Sequence, residues 1–545
     1  MFTPPKPKGV SLTAENDAEV TGAERTDIKR VETQGAAKAR LGFWGLSDIK
    51  MNAIALYGNF FVVAVIGIIF NPALIRLLGQ EQFGIWKASL RLLDLTAVAD
   101  GRATQALKWV VAHNDSSEDT LQKQQMVGAS LLVWCVWLPI LLGGLAIVIF
   151  GLPTFVGGIS EHNLPIARLA VTILGINMVI TALLGLPDAV LVGTSQGWRS
   201  YIITTFYLIL SNVGMLFAAY LGFGIIGVAG STLIFSVLNG VSTYFVARAR
   251  ISWLGARMPS LKQLKELLNF SNLTMVWMVV RMLMLASDVF LISYFSGARL
   301  VSRYTFFAYV TQFALSVCLM TSSAAVPKLG SLIGSGQMAV AAMRLKQLRA
   351  MLFCTIIVLG GGIILCNQAF VSAWVGSEFY LGDPANVMMV AVLTQLALIR
   401  FEGQIQDISL KIGRKVMWSA IFTAVSFGLS ASLYSATDNL AMMFAGLFVG
   451  RLPLNFIFSA LVNRMIPEAG YNLRGHAIMI FFLLIVILLS LLWKPDGLFE
   501  FICTAPLLGL ALALSSATLL LPQDTVRAIL TTAFQRLRRK LARSS

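Results

Sequence analysis

Long apolar segments recur along the chain from about residue 51 to residue 521. Each is long enough to cross a hydrocarbon core about 30 Å thick as an α-helix, which satisfies its own backbone hydrogen bonds inside lipid. The sequence therefore predicts an all-α, multi-pass membrane protein with about 14 transmembrane helices. The predicted spans are 51–75, 83–112, 126–150, 164–193, 201–221, 223–247, 269–296, 303–328, 350–375, 385–411, 415–435, 439–463, 475–493 and 499–521.

Composition agrees with a membrane protein and excludes a nucleic-acid-binding one. Hydrophobic residues make up 57% of the chain and charged residues only 12%, where a soluble domain has about 25% charged residues. The net charge is +16, but the basic residues cluster in the short links between apolar segments and in the C-terminal tail. This placement predicts contact with an anionic lipid leaflet and no nucleic-acid partner.

The distribution of Lys and Arg also predicts an orientation. The links at 151–163 and 376–384 contain neither residue, whereas most links on the other side are basic. The bias places both termini in the cytoplasm. Four cations contradict it, and they are Arg76, Arg299, Arg303 and Lys494.

No pattern of catalytic, metal-binding or cofactor-binding residues stands out. The five cysteines lie inside apolar segments and form no CxxC pair, and the three histidines are far apart. Neither a glycine-rich phosphate loop nor a nucleophile elbow is present. We therefore predict no catalytic residue, no metal site and no cofactor.

Weak internal similarity divides the chain into two halves. Gly297 matches Gly79 at an offset of 218, and Gly413 matches Gly197 at an offset of 216. The predicted organisation is two bundles of six helices followed by two additional helices. Its parts are a polar, disordered cytoplasmic extension (1–50), the N-terminal bundle (51–250), a basic cytoplasmic linker (251–268), the C-terminal bundle (269–465), the additional helices (475–521) and a basic cytoplasmic tail (522–545).

The second apolar segment contains LLDLTAVADGRATQALKWVVA (92–112), which carries several charges inside a predicted membrane helix. At 100° per residue, five of the nearby charged side chains lie within about 60° of Lys87 and form one stripe. Such a stripe must face protein or a water-filled cavity, because an isolated charge in lipid costs at least about 2.5 kcal/mol. The members of the stripe are Lys87, Arg91, Asp94, Arg102 and Lys108.

Two later segments show the same pattern. Arg281 and Asp288 lie on one face of the seventh segment, and Arg400 and Asp407 lie on one face of the tenth. One interpretation is a cationic cavity in which the arginines and lysines bind substrate and the aspartates balance charge or take a coupling proton. The alternative is structural: each Arg–Asp pair locks two helices together, and the lysines near helix ends extend to the interface.

A cavity rich in arginine is suited to an anionic substrate. The guanidinium group binds phosphate oxygens through two parallel hydrogen bonds and stays charged when it is buried. Lipids that carry a diphosphate are membrane substrates with this chemistry. The residues alone thus predict a transporter of an amphiphilic or soluble anion.

Two stretches resemble the polysaccharide (O-antigen and exopolysaccharide repeat-unit) flippases of the multidrug/oligosaccharidyl-lipid/polysaccharide (MOP) exporter superfamily. The first is the turn after the first segment, and the second spans the fourth to sixth segments. In the second half, Arg299 and Val301 replace an acidic residue and a glycine of the family turn. The matching residues are Leu78, Gly79, Phe83, Gly84 and Trp86 in the turn, and Gly193, Gly197, Arg199, Asn212, Phe223, Gly224, Gly227 and Gly230 in the second stretch.

The resemblance implies a V-shaped, MATE-like pair of bundles in the bacterial inner membrane. It implies a flippase that moves a polyprenyl-diphosphate-linked oligosaccharide by alternating access, with other polysaccharide-assembly membrane proteins as further partners. Three alternatives stay open: a lipid-linked peptidoglycan-precursor flippase, a cation-coupled multidrug exporter, and a membrane polysaccharide polymerase or ligase. The short links between segments argue against the last, because such enzymes place catalytic residues in large extracytoplasmic loops.

Overall fold

The computed structural model describes residues 48–101, 103–113, 119–409 and 413–521. The described residues form α-helices connected by short turns. The α-helices, numbered in chain order, are α1 (Asp48–Thr96), α2 (Ala103–His113), α3 (Thr120–Phe150), α4 (Leu152–Phe155), α5 (Asn163–Leu184), α6 (Leu186–Gly193), α7 (Gly197–Tyr220), α8 (Gly224–Arg250), α9 (Leu261–Phe307), α10 (Tyr309–Gly334), α11 (Met338–Trp374), α12 (Asp383–Asp407), α13 (Gly413–Thr437), α14 (Leu440–Met465), α15 (Leu473–Leu492) and α16 (Gly497–Leu520).

The all-α, multi-pass membrane fold is confirmed. Within the described ranges, twelve helices are long and apolar enough to cross a membrane. The prediction of about 14 spans is roughly consistent with this number. The difference arises because α1 runs from the first predicted span into the second, and because the described apolar stretch of α10, Tyr309–Met320, is too short to count as a span.

The two long helices α1 and α9 bend at matching glycines. Gly79 has φ 75° and ψ 166°, and Gly297 has φ 76° and ψ −175°. Only glycine adopts this backbone conformation without strain. The pair that suggested a sequence repeat therefore shares one backbone geometry in both halves.

The second predicted span is not a continuous helix. A 3₁₀ turn at Ala97–Asp100 follows α1, and the left-handed Gly101 separates it from α2. The predicted stripe assumed one uninterrupted helix, and the 100° spacing does not hold across this break. Lys108 on α2 is therefore not in line with Lys87 and Arg91 on α1.

The two halves repeat the same helix pairings. In the N-terminal half, α8 packs against α5 and α7, and α7 packs against α1. In the C-terminal half, α14 packs against α12 and α13, and α13 packs against α9. These pairings are consistent with a division into bundles at 51–250 and 269–465, which stays a prediction.

The halves contact each other closely where α1 and α9 bend. A Cβ atom on Gly84 would lie 1.8 Å from the carbonyl oxygen of Ala298. The backbone N–H of Gly157 donates to the Ser293 carbonyl at 2.9 Å, and that of Ala298 donates to the Gly157 carbonyl at 3.2 Å. We call this region, residues 79–86, 155–160 and 293–306, the closed end.

The remaining segments pack around the two halves. Helices α15 and α16 both contact α11. The predicted linker 251–268 is partly helical: α9 begins within it at Leu261. Ser260 and Gln263 form a capping box at this N-terminus. Of the predicted extension 1–50, residues 1–47 lie outside the described residues and residues 48–50 begin α1. The predicted tail 522–545 also lies outside the described residues.

Candidate functional site

Two of the predicted cations, Lys87 and Arg91, lie on α1 beyond its bend at Gly79. The Nζ of Lys87 donates to Asn71 Oδ1 at 3.1 Å and lies 4.3 Å from the centre of the Trp86 ring. Arg91 Nη1 is 3.5 Å from Asp94 Oδ2, one turn away. Asp94 thus partly neutralises Arg91, as a charge-balancing carboxylate would.

Arg91 also contacts the C-terminal half. Its Nη2 donates to the side-chain oxygen of Gln312 on α10 at 3.5 Å. This hydrogen bond is long and its surroundings are exposed, so Arg91 can exchange its partner for a ligand at little cost. This hydrogen bond joins α1 to α10.

Lys108 belongs to a different environment, inside the N-terminal half. Its Nζ lies 2.9 Å from Asp188 Oδ2, and Asp188 also accepts the Ser200 hydroxyl at 2.6 Å. The pair lines a cavity of about 250 Å³ together with Thr104 and Thr181. Arg102 lies outside the described residues.

The C-terminal half places three cations near one carboxylate. Arg281 on α9, Arg400 on α12 and Lys415 on α13 interact electrostatically with one another, and Asp407 attracts both Arg400 and Lys415. The Nζ of Lys415 forms an ion pair with Asp407 and donates to the Gly403 carbonyl at 3.2 Å. We call Arg281, Arg400, Asp407 and Lys415 the cationic cluster, and its formal charge is positive.

Arg400 is a member of this cluster with unused hydrogen-bonding capacity. The residue is only 8% exposed, and its Nε and Nη1 groups are buried without a hydrogen-bond partner. Buried donors are nearly always paired, because an unpaired one loses about 1–3 kcal/mol of solvation. An anion that accepted these two donors would remove that cost.

Asp288 has partners other than those expected from the sequence. It accepts a hydrogen bond from the Tyr304 hydroxyl and one from the backbone N–H of Val289 at 2.8 Å. The fully buried Arg451 lies near it and donates to Ser287 and, at 3.2 Å, to Ser426. Asp288 therefore balances Arg451, a cation on α14 that is not among the predicted site residues.

Two other buried cations, Arg349 and Lys415, are not among the predicted site residues. Arg349 lies inside α11, where its Nε and Nη2 groups donate to Glu402 at 2.7 and 3.0 Å. Lys415 lies in the first turn of α13, with its Nζ 4.0 Å from the centre of the Trp277 ring. Nothing in the local sequence marks either one, because their partners come from other helices.

The arrangement as a whole is suited to binding an anion rather than to acid–base catalysis. The cationic cluster offers unsatisfied guanidinium donors inside the membrane part of the protein, and Arg91 offers an exchangeable one between the halves. Within the described residues, no group of three or more His, Cys, Asp or Glu side chains could hold a metal ion.

The chain has the fold of transporters and flippases of the MOP superfamily. No protein-family model and no curated protein matches it. The solved structures that share this fold are described as transporters and flippases.

Three solved structures illustrate the likeness. The structure "Lipid II flippase MurJ, inward closed conformation" superposes with a TM-score of 0.65 at 13% identity, covering 86% of this chain and 98% of that one. An outward-facing multidrug resistance MATE family transporter gives 0.55 at 14%, covering 78% and 96%. A MOP superfamily transporter from Pyrococcus furiosus gives 0.52 at 14%, covering 78% and 95%. At these identities the likeness concerns the fold alone.

Proposed function

We propose that the protein is a flippase that moves a polyprenyl-diphosphate-linked oligosaccharide across the bacterial inner membrane by alternating access. Both termini would be cytoplasmic, so that the closed end faces the extracytoplasmic side. The diphosphate and sugars would occupy the space between the halves, and the lipid tail would stay in the bilayer. Other membrane proteins of polysaccharide assembly would supply the substrate and receive the product.

The unsatisfied donors of Arg400 carry this proposal. Two buried N–H groups without a partner, next to Arg281 and Lys415, form an environment that a diphosphate would complete. Charge-assisted hydrogen bonds to phosphate are about twice as strong as neutral ones. In this proposal Arg91, Arg102, Lys87 and Lys108 are further substrate-binding cations.

The carboxylates have a different role in the proposed cycle. Asp94 and Asp407 already lie against Arg91 and Lys415, so each can neutralise its cation when no substrate is bound. Asp288 balances charge beside Arg451 on α14. A proton taken up by any of the three would release its cation to the substrate, which is one way to couple transport to a proton gradient.

A lipid-linked peptidoglycan precursor is the second candidate substrate. The structure of the lipid II flippase MurJ covers more of this chain than the MATE structures do. Both candidate substrates contain a polyprenyl diphosphate, and the cationic cluster does not distinguish between them. A cation-coupled drug exporter is less well supported, because the cluster has three cations for one carboxylate.

Loss of the protein followed by complementation tests the proposal. Cells that lack it should accumulate one lipid-linked glycan in the cytoplasmic leaflet, and mass spectrometry of that lipid identifies the substrate. Arg400→Gln should restore transport poorly, because losing a charge-assisted hydrogen bond weakens binding about tenfold to a hundredfold. Arg400→Lys should restore it in part, since lysine keeps the charge and loses the planar fork.

The matched control is the exposed Arg414 at the start of α13. Arg414→Gln removes one positive charge from the same region and should complement fully. Each variant must be present in the membrane at wild-type abundance, which immunoblotting checks. Full transport by Arg400→Gln, or no accumulated lipid-linked glycan in the deletion strain, would refute the proposed function.

A further inference from the structure

A second cavity lies at the closed end, away from the cationic cluster. Its volume is about 770 Å³, and it is formed by the bends of α1 and α9 and the ends of the C-terminal helices. Arg299 and Arg303 line it, together with the side chains of Ser296, Tyr434 and Asn439. Hydroxyl and amide groups beside two arginines are typical of a site for a polar, negatively charged ligand.

The two arginines are held in different ways. The Nε of Arg303 donates to the Glu378 carbonyl at 2.7 Å, which orients its guanidinium group. The side chain of Arg299 is 76% exposed, and its Nη2 lies 3.8 Å from Glu81 Oε2 on the other half. Exposed ion pairs at such distances contribute about 0–1 kcal/mol, so Arg299 can leave Glu81 readily.

Glu81 does not depend on Arg299. Its Oε1 accepts hydrogen bonds from the backbone and hydroxyl of Ser160 at 2.9 and 2.8 Å and from Asn163 at 2.9 Å. The carboxylate is thus fixed within the N-terminal half. A ligand that bound Arg299 would therefore break a contact between the two halves while the structure of each half stayed intact.

The charge pattern of the whole chain gives an independent reason to assign a role to these arginines. In the proposed orientation they lie on the extracytoplasmic side, where Lys and Arg are scarce. Of the four cations that contradict this bias, Lys494 forms an ion pair with Asp383, and Arg299 and Arg303 line the cavity. The cavity also contains one carboxylate, Asp438, so its arginines outnumber its acids.

From these observations we propose that the closed-end cavity binds an oxyanion-bearing saccharide on the extracytoplasmic side, where Arg299 and Arg303 hold the anion. The oxyanion is either a phosphate of the lipid-linked substrate or a carboxylate of an acidic sugar. The inference rests on the proposed function for the orientation and for the saccharide. Binding would draw Arg299 away from Glu81 and favour separation of the halves at this end.

Protection of an introduced cysteine tests the site. Thr437→Cys places an exposed thiol in the cavity lining, and the full chain in lipid nanodiscs is labelled with a hydrophilic maleimide. Inorganic pyrophosphate represents the phosphate source, digalacturonic acid represents the acidic sugar, and neutral maltose is the control ligand. Pyrophosphate, digalacturonic acid or both should slow the labelling of the Thr437→Cys variant, and maltose should not.

Matched variants show whether the arginines are responsible. Arg303→Gln in the Thr437→Cys background should raise the anion concentration needed for protection about tenfold to a hundredfold, and Arg303→Lys should raise it less. Arg76→Gln removes an exposed arginine from α1 outside the cavity lining and should change nothing. Unaltered thermal unfolding of each variant separates lost binding from lost structure.

The result also identifies the source of the anion. Protection by pyrophosphate alone assigns the site to a phosphate, and protection by digalacturonic acid alone assigns it to an acidic sugar. No protection, equal protection by maltose, or protection that survives Arg299→Gln/Arg303→Gln would overturn the inference. The proposed function would stand in that case, because transport by Arg400→Gln tests it separately.

Discussion

Breaking the buried ion pair between α11 and α12 should destabilise the protein more than any single change to an exposed pair. Arg349 is 3% exposed and Glu402 is 11% exposed, and two of the guanidinium nitrogens contact the carboxylate. Arg349 Nη1 also donates to the Gly470 carbonyl at 2.8 Å. The pair therefore joins α11 and α12 to the turn that precedes α15.

The expected magnitude follows from what each change leaves behind. Glu402→Gln leaves the guanidinium charge buried without a counter-ion, which costs about 3–5 kcal/mol in buried pairs. Arg349→Met likewise leaves the carboxylate of Glu402 buried without a counter-ion. The double variant Arg349→Met/Glu402→Met removes both charges and should recover most of the loss, since apolar replacement of a whole buried pair is often neutral.

The assay is denaturant unfolding of the purified protein in detergent, together with abundance in the membrane. Lys494→Met is the matched control, because its partner Asp383 is half exposed and the loss should be about 1 kcal/mol or less. Single variants of Arg349 and Glu402 that are as stable as the Lys494 control would refute the reasoning. A double variant as unstable as the single ones would show that packing, rather than charge, accounts for the loss.

Two further predictions concern the bends and the orientation. Gly79→Ala should lower the free energy of unfolding by about 1–3 kcal/mol, because its backbone conformation is accessible almost only to glycine. Gly297→Ala should cost more, since its Cβ would also lie 2.3 Å from the Gly157 carbonyl oxygen. Thermal unfolding compares the two variants, and an equal effect would contradict the steric part of the argument. Reporter fusions after Ser545 and within 154–160 should report opposite compartments, and an extracytoplasmic C-terminus would contradict the proposed orientation.

The fold could be predicted from the sequence because its strongest determinants are local. Apolar length defines a membrane helix whatever it packs against. The match between Gly79 and Gly297 could be read at a fixed offset, and both residues adopt the same backbone conformation in the structure. Spans merged only where a glycine bend let one helix continue into the next.

The site was harder to predict because its partners come from other helices. The stripe on the second span failed at Gly101, although the Asp-Gly pair at that position is a common turn sequence. The burial of Arg349 and Lys415 depends on Glu402 and Asp407, which no periodicity within α11 or α13 could indicate. Helical spacing shows which side chains share a face, but it does not show what that face meets.

The contact between the halves at the closed end includes main-chain interactions. Gly157 exchanges backbone hydrogen bonds with Ser293 and Ala298, and Gly84 lies against the Ala298 carbonyl. Main-chain hydrogen bonds do not depend on a side-chain rotamer, so a change in one side chain does not break them. In the proposed alternating-access cycle, these bonds would form or break together as the halves separate, which would disfavour a partly open pathway.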